Sequence, residues 1–253
     1  MSTVDRKSVW ITGASSGIGA GLATELVRRG ARVAVSARRE DRLEEVSNGE
    51  MTVVPLDVTD HEAVLVAADR VRASIGDIDI AILNAGAWKQ TSVRDWDTAA
   101  FRRQVEVNLL GTNSCIAAVL PRMLERGEGT IVIVASVAGY RGIPGSEAYG
   151  ATKAALLNLA ESLRVDLAPA GIRVQTVSPG FVRTEMTEVN DFPMPFMIEV
   201  DEAARAIVDG LQSDRPEIVF PRRMATTMKL LRLLPQRLWT PLWRRQSSLR
   251  KHP

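Results

Sequence analysis

The sequence is poor in cysteine and contains no long apolar run. Cys115 is the one cysteine among 253 residues, so no internal disulfide can form, and we expect a reducing, cytoplasmic setting. No stretch reaches the roughly 18 to 20 apolar residues that a transmembrane helix needs, and residues 1–13 lack the apolar segment of a signal peptide. We therefore expect neither a secretory leader nor a membrane span.

Acidic residues are missing from the end of the chain. Residues 221–253 contain nine Lys or Arg and no Asp or Glu, although the net charge of the whole chain is only +2. With 45% hydrophobic and 25% charged residues, the composition suits one large globular domain. We predict a main domain over residues 1–220, followed by a basic, amphipathic C-terminal extension over residues 221–253.

Short β-branched segments alternate with segments that have the apolar spacing of amphipathic helices. This alternation predicts a single α/β domain: a doubly wound parallel sheet with helices on both faces. The predicted strands are residues 8–12, 32–36, 52–56, 78–83, 130–135 and 173–178. The predicted helices are residues 18–29, 40–46, 61–75, 98–125 and 147–167.

The first predicted strand leads into a glycine-rich turn, TGASSGIG at residues 12–19, and then into a helix. Glycine lets the backbone adopt unusual angles and lets a phosphate approach the N–H groups at a helix start. In this strand–turn–helix context the pattern favours a dinucleotide site, although an ordinary tight turn can have the same residues. The predicted cofactor-binding residues of the turn are Gly13, Ser15, Ser16, Gly17, Ile18 and Gly19.

Tyr149 and Lys153 stand four residues apart on a predicted helix, so their side chains share one face. A tyrosine titrates near ~10, and a neighbouring ammonium group is expected to lower that pKa. Ser136 follows a predicted strand, at the edge where parallel sheets place ligands. The three residues suit proton exchange with a substrate oxygen, with Tyr149 as acid/base and Ser136 stabilising the charge. A Tyr-x-x-x-Lys pair alone also occurs on ordinary amphipathic helices.

Four motifs resemble the short-chain dehydrogenase/reductase family in their order and separation. They are the glycine-rich turn, Asn84-Ala85-Gly86, Ser136 and Tyr149-Gly-Ala-Thr-Lys153. The resemblance covers residues 8 to about 185. It implies a Rossmann-type fold and hydride transfer between a nicotinamide cofactor and an alcohol or carbonyl compound. It also implies a homodimer or homotetramer through segments 98–125 and 147–167, unless those faces are buried within one subunit.

The end of the second predicted strand contains no acidic residue. In dinucleotide folds an acidic side chain there accepts hydrogen bonds from the ribose 2′-hydroxyl of NAD. Here the sequence reads Val35-Ser36-Ala37-Arg38-Arg39, and the Arg38 guanidinium would pair with a 2′-phosphate instead. We therefore predict NADP(H) as the cofactor, with Arg39 facing solvent. Alternatively, both arginines simply begin a solvated helix.

The resemblance implies further site residues. Asp57 and Val58 would border the adenine, although Asp57 could instead cap the helix that starts at residue 61. Lys153 would hold the nicotinamide ribose, and Asn108 would anchor a water between Lys153 and solvent, unless Asn108 only bonds backbone. The adenosine ribose would be lined by Asn84, Ala85 and Gly86. The segment over the nicotinamide would contribute Pro179, Gly180, Val182 and Thr184, although a proline and a glycine also form turns.

Residues 185–200 correspond to the variable substrate loop of the family and carry few charges. Their apolar side chains suggest a small apolar alcohol or ketone as substrate, and flexible methionines would tolerate varied shapes. Trp88 could form the opposite wall. Alternatively, the loop packs on its own core or on a neighbouring subunit. The apolar residues are Met186, Phe192, Pro193, Met194, Pro195, Phe196 and Met197.

The C-terminal extension allows two interpretations. It could be an interfacial amphipathic segment, with Trp239 and Trp243 at the lipid boundary and arginines on anionic head groups. It could instead cover the substrate cleft or a subunit interface through Met228, Leu231 and Leu234 while its arginines pair with the acidic body. No nucleic-acid motif accompanies the charge, so no nucleic-acid partner is expected.

The sequence therefore predicts an NADP(H)-dependent oxidoreductase that acts on CH–OH groups and needs no metal. A protein that keeps the fold but has lost the chemistry, and acts as a nucleotide-binding scaffold or sensor, is the alternative. The presence of both Tyr149 and Lys153 favours the enzyme.

Overall fold

Seven strands form one entirely parallel sheet in the structure, a computed structural model that describes residues 4–243. The strand order is β3-β2-β1-β4-β5-β6-β7, so the order of the strands reverses between β1 and β4. A crevice forms at such a switch point, beyond the carboxyl ends of the strands. The strands are β1 Ser8–Thr12, β2 Arg32–Ser36, β3 Thr52–Val53, β4 Ile80–Leu83, β5 Gly129–Val134, β6 Ile172–Pro179 and β7 Glu217–Phe220.

Helices cover both faces of the sheet, and each face has its own apolar core. On one face α1 (Gly17–Arg28), α2 (Glu40–Ser47) and α8 (Val200–Leu211) pack against the strands. On the other face lie α3 (His61–Ile75), α5 (Gly111–Arg126) and α6 (Glu147–Leu167). The predicted doubly wound α/β architecture is confirmed. Its strands are buried on both sides, which is why they read as continuous apolar runs.

The predicted helix over residues 98–125 is in fact interrupted. It consists of α4 (Thr98–Val105), one wide π-helical turn at Glu106–Leu110, and α5. Such wide turns insert an extra residue into a helix and are frequent at functional sites. This one contains Asn108, whose backbone carbonyl accepts a hydrogen bond from the Thr112 hydroxyl at 2.7 Å.

The prediction missed the last strand and the helix before it. β7 has only four residues, Glu217–Phe220, and pairs with β6, so it is an edge strand with a weak sequence signal. α8 joins the face made by α1, through Ala203, Ile207 and Val208. β3 is also shorter than predicted: its register with β2 ends at Val53, although the Leu56 N–H group still donates to the Ala37 carbonyl at 2.9 Å.

The last described residues form a helix pair, α9 (Arg222–Arg232) and α10 (Gln236–Trp243), which follows β7. The short helix α7 (Glu185–Glu188) lies between β6 and α8. Ala225 and Met228 of α9 form a third apolar cluster with Val137 and Tyr140. None of the helices within residues 4–243 is long and apolar enough to cross a bilayer. The same residues contain no cluster of His, Cys, Asp or Glu suited to hold a metal ion.

Candidate active site

The carboxyl ends of the central strands surround a cleft of about 460 Å³. Every residue that the sequence analysis assigned to the cofactor or to catalysis lines it, except Asn108. The predicted residues in its wall are Gly13, Ser15, Ser16, Gly17, Ile18, Gly19, Arg38, Asp57, Val58, Asn84, Ala85, Gly86, Ser136, Tyr149, Lys153, Pro179, Gly180, Val182 and Thr184.

The glycine-rich turn lies against the backbone that follows β4. A Cβ atom on Gly19 would stand 2.3 Å from the Gly13 carbonyl oxygen and 2.6 Å from the Asn84 side-chain nitrogen. That nitrogen donates hydrogen bonds to the carbonyl oxygens of Thr12, at 3.1 Å, and Gly13, at 2.9 Å. Only glycine therefore fits at position 19, and Asn84 holds the turn in place.

The N-terminus of α1 points its free backbone N–H groups toward the cleft. The helix begins at Gly17, and the side chain of the preceding residue, Ser16, makes no capping hydrogen bond. The first N–H groups of a helix have no partner within the helix, and the helix dipole makes this end positive. The turn can therefore hold a phosphate group.

Two exposed arginines follow β2, and one of them makes contacts that the sequence did not indicate. Arg38 is exposed at the rim of the cleft. Arg39, predicted to face solvent, is exposed and also donates to the hydroxyls of Ser15 and Ser16 at 3.2 and 3.0 Å. It also forms a 3.2 Å ion pair with Glu185. The Arg39 side chain is 46% exposed, as predicted, and α7, far along the chain, adds the contact with this carboxylate.

Asp57 does not cap α3, because Asp60 does so by accepting a hydrogen bond from the Ala63 N–H group at 3.0 Å. Partial burial raises the pKa of Asp57, but hydrogen bonds from Thr59 and the nearby charge of Arg103 outweigh it and hold the pKa below its ordinary value. Arg103 lies 3.6 Å from the Asp57 carboxylate. Asp57 is therefore an ionised side chain in the wall of the cleft.

Ser136, Tyr149 and Lys153 come together at the end of β5. The Lys153 ammonium group donates a 2.8 Å hydrogen bond to the Val134 carbonyl oxygen and lies 5.4 Å from the centre of the Tyr149 ring. Burial lowers the pKa of Lys153 to about 8. A lysine with this pKa can gain or lose its proton near neutral pH.

Burial also raises the pKa of Tyr149 to about 12, and a hydrogen bond with Ser136 opposes that rise. The expectation that Lys153 lowers the pKa of Tyr149 is not met in this arrangement, because desolvation of the phenol is the larger effect. Tyr149 is thus held in its protonated form, the form that can donate a proton.

Asn108 lies behind the cleft, and its side-chain amide is fully engaged. Its nitrogen donates to the Ala87 carbonyl and to the Thr152 hydroxyl, both at 3.0 Å, and its oxygen accepts from the Ala87 N–H group at 2.7 Å. These bonds join the segment after β4 to α6, the helix that carries Tyr149 and Lys153. The role of Asn108 in a water relay stays a prediction.

The segment after β6 closes the other side of the cleft. Thr184 faces the glycine-rich turn, since a Cβ atom on Gly17 would lie 3.0 Å from its methyl group. Trp88 stands edge-on to Tyr149 with ring centres 5.2 Å apart, and its indole N–H donates to the Asn190 side chain at 2.9 Å. Trp88 therefore connects Tyr149 with the predicted substrate loop.

The loop between Ser136 and Tyr149 is attached to the helix pair, a contact that the sequence analysis missed. Arg141 donates to the carbonyl oxygens of Leu231, Arg232 and Leu234 at 2.7, 3.0 and 2.6 Å. Its guanidinium group lies 4.5 Å from the centre of the Trp239 ring. No local pattern around Arg141 indicates these contacts, because they link residues about 90 positions apart.

Trp239 is buried, and its indole N–H donates to the Gly142 carbonyl at 3.1 Å. Its predicted place at a lipid boundary is therefore wrong, since the same loop already covers it. Met228 and Leu231 do pack inward. Ion pairing of the extension with the acidic body is limited, within residues 222–243, to Lys229 and Glu217 at 2.6 Å. Residues 244–253 of the extension lie outside the described residues.

Comparison with known proteins agrees with this architecture. The family model described as short chain dehydrogenase matches residues 7–192. An uncharacterized oxidoreductase of Myxococcus xanthus is 38% identical over 251 residues, which cover 97% of this chain and 99% of that protein. One from Mycobacterium tuberculosis is 34% identical over 248 residues, with coverage of 94% and 98%.

Solved structures show the same fold. A short chain dehydrogenase from Burkholderia cenocepacia, in complex with NADP, superposes with a TM-score of 0.84 at 32% identity, covering 96% of this chain and 99% of that one. A Burkholderia phymatum protein in complex with NAD has a TM-score of 0.83 and 23% identity, covering 91% and 94%, which shows the fold alone. This chain belongs to the short-chain dehydrogenase/reductase family and is an oxidoreductase with a nicotinamide cofactor.

Proposed function

We propose that this protein is an NADP(H)-dependent oxidoreductase that interconverts a small apolar ketone or aldehyde and its alcohol. One observation carries the proposal: the Ser136, Tyr149 and Lys153 side chains meet in the same cleft as the glycine-rich turn. A dinucleotide held by the turn would reach these three side chains. A scaffold that only bound a nucleotide would not need them.

The residues of the cleft fit a dinucleotide. The start of α1 offers free N–H groups to a pyrophosphate, and the contacts of Gly13 and Gly19 bring the backbone close to it. The Asn84-Ala85-Gly86 segment would line the adenosine ribose, with Asp57 and Val58 next to the adenine. Pro179, Gly180, Val182 and Thr184 would hold the nicotinamide end.

The preference for NADP(H) over NAD(H) rests on the charges at the end of β2. Ala37 stands where an acidic residue would read the 2′-hydroxyl, and Arg38 and Arg39 stand beside it. Guanidinium groups form strong, bidentate hydrogen bonds with phosphate. Arg39 is already oriented toward the turn by Ser15 and Ser16. We infer that both arginines bind the 2′-phosphate, and the Burkholderia cenocepacia structure with NADP supports this choice.

In the direction of reduction, a nicotinamide held by Pro179, Gly180, Val182 and Thr184 would be the source of the hydride for the carbonyl carbon. The Ser136 hydroxyl holds the carbonyl oxygen, and the protonated Tyr149 phenol donates its proton to that oxygen as negative charge develops. Lys153, in its charged form, stabilises the phenolate that remains. In the direction of oxidation the Tyr149 phenolate, stabilised by charged Lys153, would accept the proton of the alcohol.

The substrate would bind between Trp88 and the loop over residues 185–200. The indole ring beside Tyr149 and the Met186 side chain in the cleft wall offer apolar surfaces. An apolar pocket with few polar groups at one end suits a small apolar ketone or alcohol. Members of the family are typically oligomeric, and we propose a homodimer or homotetramer for this chain.

Titration with NADPH and NADH, followed by nicotinamide fluorescence, tests the cofactor assignment. We expect NADPH to bind more tightly, and Arg38→Asp to weaken NADPH binding by about 10-fold or more while NADH binding is kept. Arg42→Asp makes the same charge change on α2, outside the cleft, and should have little effect. Equal affinity of the wild type for both nucleotides would contradict the assignment.

A further inference from the structure

The helix pair α9–α10 has two distinct faces. Its inner face is buried against the loop after Ser136 through Ala225, Met228 and Trp239. Its exposed side chains include two pairs of leucines, and the members of each pair are three or four residues apart, so that they lie on the same side of the chain. We call these four exposed leucines, Leu230 on α9, Leu233 directly after it, and Leu238 and Leu242 on α10, the leucine surface.

The leucine surface is unusually apolar for exposed residues. Leu233 is 79% exposed and Leu230 63%, while Leu238 and Leu242 are 54% and 55% exposed. Single exposed leucines are common on protein surfaces, but four within residues 230–242 are a concentration. Such concentrations mark places where another apolar surface binds.

The same helices are strongly basic. Residues 222–243 contain Arg222, Arg223, Lys229, Arg232 and Arg237 and no acidic residue. Arg222, Arg223 and Arg237 are exposed, and none of them forms an ion pair within the part of the chain that the structure describes. These cations are therefore available to an external anionic partner.

We propose that the leucine surface and its flanking arginines bind an anionic lipid bilayer, with α9 and α10 lying along the membrane surface. The leucines would enter the boundary between head groups and acyl chains, and the arginines would contact lipid phosphates. A short, basic, amphipathic helix pair that is anchored to a folded domain has the features of such an interfacial segment.

A second copy of this chain fits the surface less well. A two-fold contact places the same patch of both subunits together, so arginine would meet arginine, with no carboxylate between residues 222 and 243 to pair with them. A nucleic acid would satisfy the arginines but would leave the leucines in water. An anionic bilayer satisfies both.

Sedimentation with lipid vesicles tests the proposal on the full chain, without substrate or cofactor. We expect the protein to sediment with vesicles of equal parts phosphatidylcholine and phosphatidylglycerol, and to bind phosphatidylcholine vesicles about 10-fold more weakly. High salt should weaken the first interaction because it screens the arginines. Absence of binding to the anionic vesicles would overturn the proposal.

Variants identify the surface. Leu233→Ser combined with Leu238→Ser should lower the affinity for anionic vesicles by about 10-fold or more. Val66→Ser, which removes a 52% exposed side chain on α3, away from the segments expected at a subunit interface, is the control and should bind like the wild type. Thermal unfolding confirms that both variants fold. Unchanged vesicle binding of the double variant, or its conversion from an oligomer to a monomer in analytical ultracentrifugation, would contradict a lipid partner.

Because these measurements need neither nucleotide nor turnover, they can fail while the proposed oxidoreductase function stands. The reverse also holds, since a protein without turnover could still bind vesicles through this surface.

Discussion

The two sides of the cleft are held by different kinds of contact. On the cofactor side, the glycine-rich turn is fixed by backbone contacts within residues 12–19 and by the Asn84 amide. On the side that carries Ser136 and Tyr149, the loop between these two residues is fixed by side chains that reach the helix pair, above all Arg141. The cofactor side depends on glycines, which have no side chain, and the other side depends on the long side chain of Arg141.

This difference predicts that substitutions on the two sides of the cleft change different quantities, nucleotide affinity on one side and turnover on the other. Substitutions on the cofactor side should change nucleotide affinity, because the turn and the start of α1 would contact only the phosphates of the proposed cofactor. Substitutions on the other side should change turnover, because Arg141 holds the loop that leads from Ser136 to Tyr149. The four predictions below test this separation, from the largest expected effect to the smallest.

Tyr149→Phe should lower turnover by about 10²- to 10⁴-fold, since it removes the proton donor. NADPH affinity should be unchanged, because the ring and its contact with Trp88 remain. Tyr140→Phe is the control, as Tyr140 is the only other tyrosine and its hydroxyl bonds Glu217 rather than facing the cleft. Steady-state kinetics and fluorescence titration measure both quantities. Equal losses in the two variants would remove Tyr149 from the mechanism.

Lys153→Met should change how stability depends on pH. The folded-state pKa of Lys153, about 8, lies below its ordinary value of 10.5, so the unfolded chain binds more protons between these values. Lys153 therefore makes the free energy of unfolding rise with pH through this window, by up to ~3 kcal/mol.

Denaturant unfolding of the cofactor-free protein from pH 7 to pH 10 checks this, with the difference between wild type and variant as the readout. The wild type should gain stability relative to Lys153→Met as the pH rises. A constant difference across the window would mean that Lys153 keeps its ordinary pKa.

Gly19→Ala should distort the glycine-rich turn. The new methyl group would stand 2.3 Å from the Gly13 carbonyl oxygen, and moving the backbone away costs about 1–3 kcal/mol. NADPH affinity and thermal stability should both fall. Gly142→Ala, which meets nothing within 4 Å, should leave both unchanged. Normal NADPH affinity in Gly19→Ala would show that the turn tolerates a side chain and that its geometry is not what binds phosphate.

Arg141→Met should give the smallest effect, a fewfold decrease in kcat with NADPH affinity preserved. The variant loses three charge-assisted hydrogen bonds to the end of α9 but keeps an apolar stem, so the loop should loosen rather than unfold. Arg237→Met on α10 is the control. The separation between the two sides would fail if Arg141→Met weakened nucleotide binding as much as it slowed turnover.

The cofactor side could be predicted from the sequence because its geometry depends on local residue types. Glycine at positions 13, 17 and 19 permits close approach, and the change from strand to helix is visible in the apolar pattern. The sequence also locates Ser136, Tyr149 and Lys153. Ser136 follows a predicted strand, and Tyr149 and Lys153 stand four residues apart on a predicted helix. Six of the seven strands follow from the same local signals.

The remaining features depend on contacts between distant segments. Arg39 forms an ion pair with Glu185, 146 positions away in the chain, and Trp239 is buried because Arg141 and Gly142 reach it. β7 has four residues and becomes a strand only by pairing with β6. The pKa of Tyr149 depends on how deeply the phenol is buried, which no spacing of residues indicates.

The most direct test of the central claim is a single-turnover experiment. The protein is loaded with NADPH and mixed with small apolar ketones and aldehydes while nicotinamide fluorescence is followed. We predict that at least one compound oxidises the bound NADPH and yields its alcohol, and that Tyr149→Phe loses this reaction while still binding NADPH. Tight NADPH binding with no oxidation by any compound would contradict the enzyme and favour a nucleotide-binding scaffold.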